Sequence, residues 1–155
     1  MPPRIRKSGK DFLKDILAFT RKAGFRNYLE TNGTLPEALG EVIDNLDIVA
    51  MDFKLPSSTG TGSFWPQHRK FLKISSQKEV FLKTVICEST IEDDLREAIE
   101  VIKEVNPGVI LVLQPDSSED YVKIEEKIKR FKYICLTENI AACIIPQMHK
   151  IVGVK

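Results

Sequence analysis

The sequence predicts an α/β fold built on a parallel sheet, and three features carry the prediction. Short apolar runs recur along the chain, with Ile48–Met51 and Val109–Leu113 the clearest. Longer segments between them return apolar residues at every third or fourth position. The short runs lack polar/apolar alternation, as expected of strands covered on both faces of a parallel sheet. Strands that alternate with helices imply right-handed βαβ crossovers.

The elements follow in order. Residues 1–9 hold two prolines, a glycine and several basic groups, and read as a frayed end. From Lys10, Phe12, Leu13, Ile16, Leu17 and Phe19 mark one face of a helix that Gly24 stops. Phe25 to Glu30 reads as a strand, and Thr31-Asn-Gly-Thr34 as the turn after it. Thr34 with Glu37 predicts a capping box, with Pro36 in the first turn. Leu35, Leu39, Val42, Ile43 and Leu46 then form a second helical stripe, and the Ile48 strand follows. Pro56 and the Ser/Thr/Gly run at 57–63 predict a flexible loop or lid. That run lacks the Gly-Lys-Ser/Thr ending of a phosphate-binding P-loop. A helix is expected from Phe64 to Ile74, starting near Pro66, and a β-branched strand from Val80 to Cys87. Ser89 with Glu92 predicts the cap of a helix through Ile91, Leu95, Ile99, Ile102 and Val105. Val109–Leu113 is a strand tipped by Gln114. Ser117 is the expected cap of a long helix, within which residues 132–136 read equally as a strand. A short strand from Ala142 to Ile145 closes the series.

The length of 155 residues suits one domain, from about residue 10 to 155. A 43% hydrophobic and 29% charged composition is enough for a packed core and excludes a disordered tail. A net charge of +1 gives no global attraction to nucleic acid or an anionic membrane. No apolar run approaches the roughly 20 residues that span a bilayer, and the start lacks a signal-peptide core. The expected location is cytoplasmic. Cys87, Cys135 and Cys143 are odd in number and scattered, which suits reduced core thiols.

Function is sought at the carboxyl ends of the strands, where parallel α/β folds bind ligands. The polar residues there are Glu30, Thr31 and Asn32, then Asp52 and Lys54, then Glu88, Gln114, Gln147 and His149. Asp52 and Lys54 lie two apart, so they point to one side of an extended chain. An acid, base, amide and imidazole on one rim suit a polar ligand. Each residue also has a plainer reading. From the residues alone, the Asp52–Lys54 pair is more often a solvated ion pair and His149 a surface histidine, while Glu30 could satisfy turn amides and Gln114 close a loop.

Glu30-Thr-Asn-Gly-Thr34, Met51-Asp-Phe-Lys54, Leu113-Gln-Pro115 and Ile145-Pro-Gln-Met-His-Lys150, in this order, resemble the later part of a radical S-adenosylmethionine enzyme. The 7-carboxy-7-deazaguanine synthase family is the likeness over roughly residues 10–155. The resemblance implies a partial TIM-like barrel of parallel βα repeats, lacking its amino-terminal strands. It implies a carbon–nitrogen lyase of queuosine biosynthesis that contracts the ring of 6-carboxytetrahydropterin. Its cofactors would be S-adenosylmethionine, an iron–sulfur cluster and magnesium. By the same resemblance Glu30, Thr31, Asn32, Asp52, Lys54 and Gln114 hold S-adenosylmethionine, and Gln147 and His149 face the pterin.

The family's Cys-x-x-x-Cys-x-x-Cys motif, whose thiolates would bind three irons of the cluster, is absent from these 155 residues, as is its Gly-Gly-Glu-Pro segment. The expectation is therefore a carboxyl-terminal portion that binds no cluster and is inactive alone. The rival expectation is a non-catalytic α/β module that binds a nucleoside or assembles with another subunit. An uncovered sheet edge would favour pairing, most simply as a homodimer.

Overall fold

The computed structural model describes residues 9–146. Residues 1–8, and the candidates Gln147 and His149, lie outside the described residues. The elements run α1 (Gly9–Lys22), β1 (Tyr28–Thr31), α2 (Pro36–Gly40), a 3₁₀ turn (Ile43–Asn45), β2 (Ile48–Asp52), α3 (Pro56–Thr59), α4 (Trp65–Ser75), β3 (Glu79–Ile86), α5 (Glu92–Val105), β4 (Ile110–Pro115), α6 (Tyr121–Thr137) and β5 (Ala142–Ile144).

The five strands pair in chain order, each parallel to the next. This is a partial parallel βα barrel, as the family resemblance implies. The pairing register decides which side chains share a face. Val49, Met51, Leu82, Ile86, Leu111 and Leu113 lie on one face, pack into the main core, and are each 0% exposed. Their neighbours along each strand point the other way. That second face carries Tyr28, Glu30, Asp52, Phe81, Lys83, Val85, Val112 and Gln114. It is open at Tyr28, 51% exposed, and at Ile110, 50% exposed.

Several local expectations are corrected. Thr34 does not cap α2: its hydroxyl donates to Asn32 Oδ1 at 2.8 Å, and Leu35 holds the N-cap position without a side-chain bond. The stripe from Leu35 to Leu46 is not one helix. It breaks after Gly40, a poor helix former, and resumes as the 3₁₀ turn, although Leu39, Val42, Ile43 and Leu46 are all buried. Leu35 itself is exposed. Ser89 donates to Ser57 O at 2.8 Å, and Ile91 takes the N-cap of α5. The cap of α6 is Asp120, which accepts from Val122 N at 3.1 Å, rather than Ser117. Residues 132–136 belong to α6 and not to a strand. The 57–63 segment begins inside α3, and its first half is tied down. Ser57 N donates to Asp94 Oδ2 at 2.7 Å, and the Ser58 and Thr90 hydroxyls meet at 2.8 Å. Cys87 and Cys135 are buried as expected, but Cys143 is only half-buried.

Candidate functional site

β1, β2 and β4 each deliver a polar group to the open face near the carboxyl end, where the apolar run stops. Glu30 lies near the end of β1, Asp52 is the last residue of β2, and Lys54 follows two positions on. Gln114 lies at the end of β4. These four side chains line one open cavity of about 460 Å³. Tyr28, Phe81, Val85, Val112 and Ile145 supply its apolar walls. The rim therefore gathers four of the residues singled out in the sequence.

Two others are placed differently. Thr31 follows Glu30 in the strand and points to the opposite face; its Oγ1 accepts from Gly33 N at 3.3 Å. Asn32 Oδ1 accepts from Thr34 N at 3.2 Å. Both shape the turn and neither lines the cavity. Glu88 lies away from it, its backbone held by Glu119 and Lys127.

The centre of the site is a residue the sequence reading passed over. Lys83 pairs with Asp52 across the β2–β3 register, so both face the cavity. Its ammonium bonds Glu30 Oε1 and lies 3.4 Å from Asp52 Oδ1. Asp52 Oδ2 in turn accepts from Lys54 Nζ at 3.0 Å. The four groups form a line, Glu30–Lys83–Asp52–Lys54, of two carboxylates and two ammoniums with no net formal charge. Burial pulls the Lys83 pKa down, but the bond to Glu30 and the charge of Asp52 outweigh it and raise the net value. The Tyr28 hydroxyl is pushed up by burial and by the Glu30 charge. The visible signal in the sequence was a single lysine inside an otherwise apolar strand, VFLKTVI.

A smaller cavity of about 200 Å³ adjoins this one, sharing Asp52, Lys54 and Val85 and adding Phe53, Leu55, Ser58 and Thr59. Behind the rim, on the core side, His68 is fully buried against Phe53 and within hydrogen-bond reach of Asn32 O. Among the described residues no three His, Cys, Asp or Glu side chains converge as a metal site. Burial holds the Cys135 thiol up at about 11, so it is not a thiolate near neutral pH.

The fold and site together are those of a partial parallel βα barrel with an open cavity at its strand ends, rimmed by two carboxylates and two ammoniums. The chain belongs to the 7-carboxy-7-deazaguanine synthase family. It is 38% identical over 128 residues to the 7-carboxy-7-deazaguanine synthase of Geobacter sulfurreducens, a match covering 81% of this chain and 51% of that protein. It is 28% identical over 141 residues to the enzyme of that name from Methanopyrus kandleri, covering 90% of this chain and 53% of that one. With the Methanocaldococcus jannaschii 7-carboxy-7-deazaguanine synthase it shares 25% identity over 154 residues, 91% of this chain and 60% of that one. The chain thus spans about half the length of the curated relatives it matches. No protein-family model matches it.

Proposed function

We propose that this chain forms the nucleoside-binding and substrate-facing side of a 7-carboxy-7-deazaguanine synthase, a radical S-adenosylmethionine lyase of queuosine biosynthesis. Its substrate is 6-carboxy-5,6,7,8-tetrahydropterin. One observation carries the reading: Glu30, Asp52, Lys54 and Gln114, singled out from separate parts of the sequence, line one cavity.

The donor set suits S-adenosylmethionine. Lys54 offers an ammonium to the methionine carboxylate, and Asp52 orients it from 3.0 Å. Glu30 accepts from ribose hydroxyls or the ligand ammonium, and the Gln114 amide offers a donor and an acceptor to the nucleoside. Phe81, Val85 and Val112 exclude water from the apolar parts of the ligand. S-adenosylmethionine held there would supply a 5′-deoxyadenosyl group for hydrogen abstraction once reduced by one electron, which the family takes from its iron–sulfur cluster. On this reading Gln147 and His149 are the residues that contact the pterin. The residues do not suit the iron–sulfur cluster: Cys87 and Cys135 are buried, the three cysteines belong to different parts of the fold, with Cys143 in β5, and no trio of the described residues forms a metal site. No step of the reaction is therefore assigned through a cluster on this chain.

Titration calorimetry with S-adenosylmethionine tests the reading. Saturable heat that is lost in both Asp52→Asn and Lys54→Met supports it. Absence of heat at millimolar ligand would sink it and leave the rival reading, a non-catalytic module that works by assembly. That rival draws on the exposed Phe12, Phe19 and Phe25 on and after α1.

A further inference from the structure

We propose that His68 is a positioning residue: its neutral ring, protonated at Nε2, locks the Thr31-Asn-Gly turn to the Asp52-Phe-Lys54 strand end and so sets the spacing of the two halves of the cavity.

The ring lies on α4 and is 0% exposed. It stacks on Phe53 at 5.0 Å between centroids and 17° between planes. Trp65 meets it edge-on at 6.1 Å and 74°. Its Nε2 is 3.2 Å from the carbonyl of Asn32, an acceptor only, so Nε2 carries the proton. Nδ1 is then bare, buried and without a partner. An unpartnered buried nitrogen costs stability, and a leucine at this position would avoid the cost. What leucine lacks is the donor to Asn32.

Two of the ring's contacts, Phe53 and Asn32, lead to the cavity. Phe53 separates Asp52 from Lys54, pointing into the core while they point to the rim. Its backbone is fixed to β3, with N donating to Lys83 O at 2.7 Å and O accepting from Thr84 Oγ1 at 3.0 Å. Asn32 lies two residues past Glu30. The same turn is pressed onto β2 at Gly33, where an added Cβ would meet Met51 Cε at 2.6 Å. His68 at Asn32 and Met51 at Gly33 thus hold successive residues of the turn. Burial lowers the His68 pKa to about 4, opposed by the Asn32 carbonyl and aided by Lys54, which keeps the ring neutral at physiological pH.

The test needs no ligand for its first arm. Long-range nitrogen–proton spectra of the wild-type chain at pH 7 should show a protonated Nε2 and a bare Nδ1; an imidazolium, or a proton on Nδ1, overturns the proposal. The second arm compares His68→Leu with His68→Gln, whose side-chain amide restores a donor near Nε2. Leucine should speed amide hydrogen exchange at Gly33 and Thr34 at least tenfold more than at Leu82 and Leu111. Glutamine should bring it back to within about threefold of wild type. Equal acceleration everywhere means a packing role alone and overturns the proposal, as does no change at the turn. A third arm rests on the functional reading above: S-adenosylmethionine should bind about tenfold more weakly to His68→Leu than to wild type or His68→Gln. If the wild type gives no binding, that reading fails while the first two arms still decide the role of His68. If it binds and leucine has no effect, the His68 contact does not serve the site.

Discussion

Lys83 illustrates how a single side chain sets the electrostatics of a site. Removing its charge leaves Glu30 and Asp52 facing the same cavity with only Lys54 to offset them. Glu30 is more than half exposed and largely screened, so the cost comes mainly through Asp52. Lys83→Met is therefore expected to lose about 1–2 kcal/mol in urea denaturation at neutral pH. The sign with pH follows from the raised pKa. The contribution is fully present below the ordinary lysine range near 10.5 and disappears as pH rises through the higher native value. A variant gap that stayed constant to the most alkaline accessible pH would refute this account. His68 has the opposite sign. Its native pKa of about 4 lies below the ordinary 6.5, so folding loses stability as pH falls from about 6.5 toward 4. That loss should vanish in His68→Leu, measured by denaturation at pH 7 and pH 4.5.

At the scale of the element, strands and caps behaved differently as sequence signals. The strands were legible because their burial demands short, unbroken apolar runs that end in a polar residue. Ile48–Asp52 and Ile110–Pro115 follow that rule. Caps were not legible, because a Ser or Thr three residues before an acid says nothing about competing partners. The Thr34 and Ser89 hydroxyls are taken by Asn32 and Ser57, which are close only in the folded chain or turn. Asp120→Ala should accordingly destabilise α6 by about 0.5–2 kcal/mol in thermal denaturation, the usual cost of a lost cap. Thr34→Ala should leave α2 unaffected, and a cost for Thr34 equal to that for Asp120 would contradict the assignment. Lys83 escaped notice for a related reason: one lysine in an apolar strand looks like an edge or surface residue until register places it beside two carboxylates. His68 gave no signal at all, since its partners lie 15 and 36 residues away in sequence.

At the scale of the whole molecule, the sheet order decides where chemistry can occur. Five parallel strands in chain order bring all five carboxyl ends to one side, so residues far apart in sequence meet without any special contact. The same order keeps the cysteines apart, with Cys87 after β3, Cys135 in α6 and Cys143 in β5. Anaerobic reconstitution of these 155 residues with iron and sulfide is thus expected to yield no stoichiometric iron and no charge-transfer absorbance. Binding of about four irons per chain would show that the cysteines rearrange and would undo the cofactor assignment.

The pleat has one more consequence. Asp52, Lys83 and Gln114 alternate along their strands with Met51, Leu82 and Leu113, which never see solvent. Selection can therefore rewrite the cavity for another ligand at every second position while the interior stays untouched. A one-residue deletion inside β3 would do the reverse, turning an ammonium inward among leucines, so this scaffold tolerates exchanged letters far better than a shifted frame.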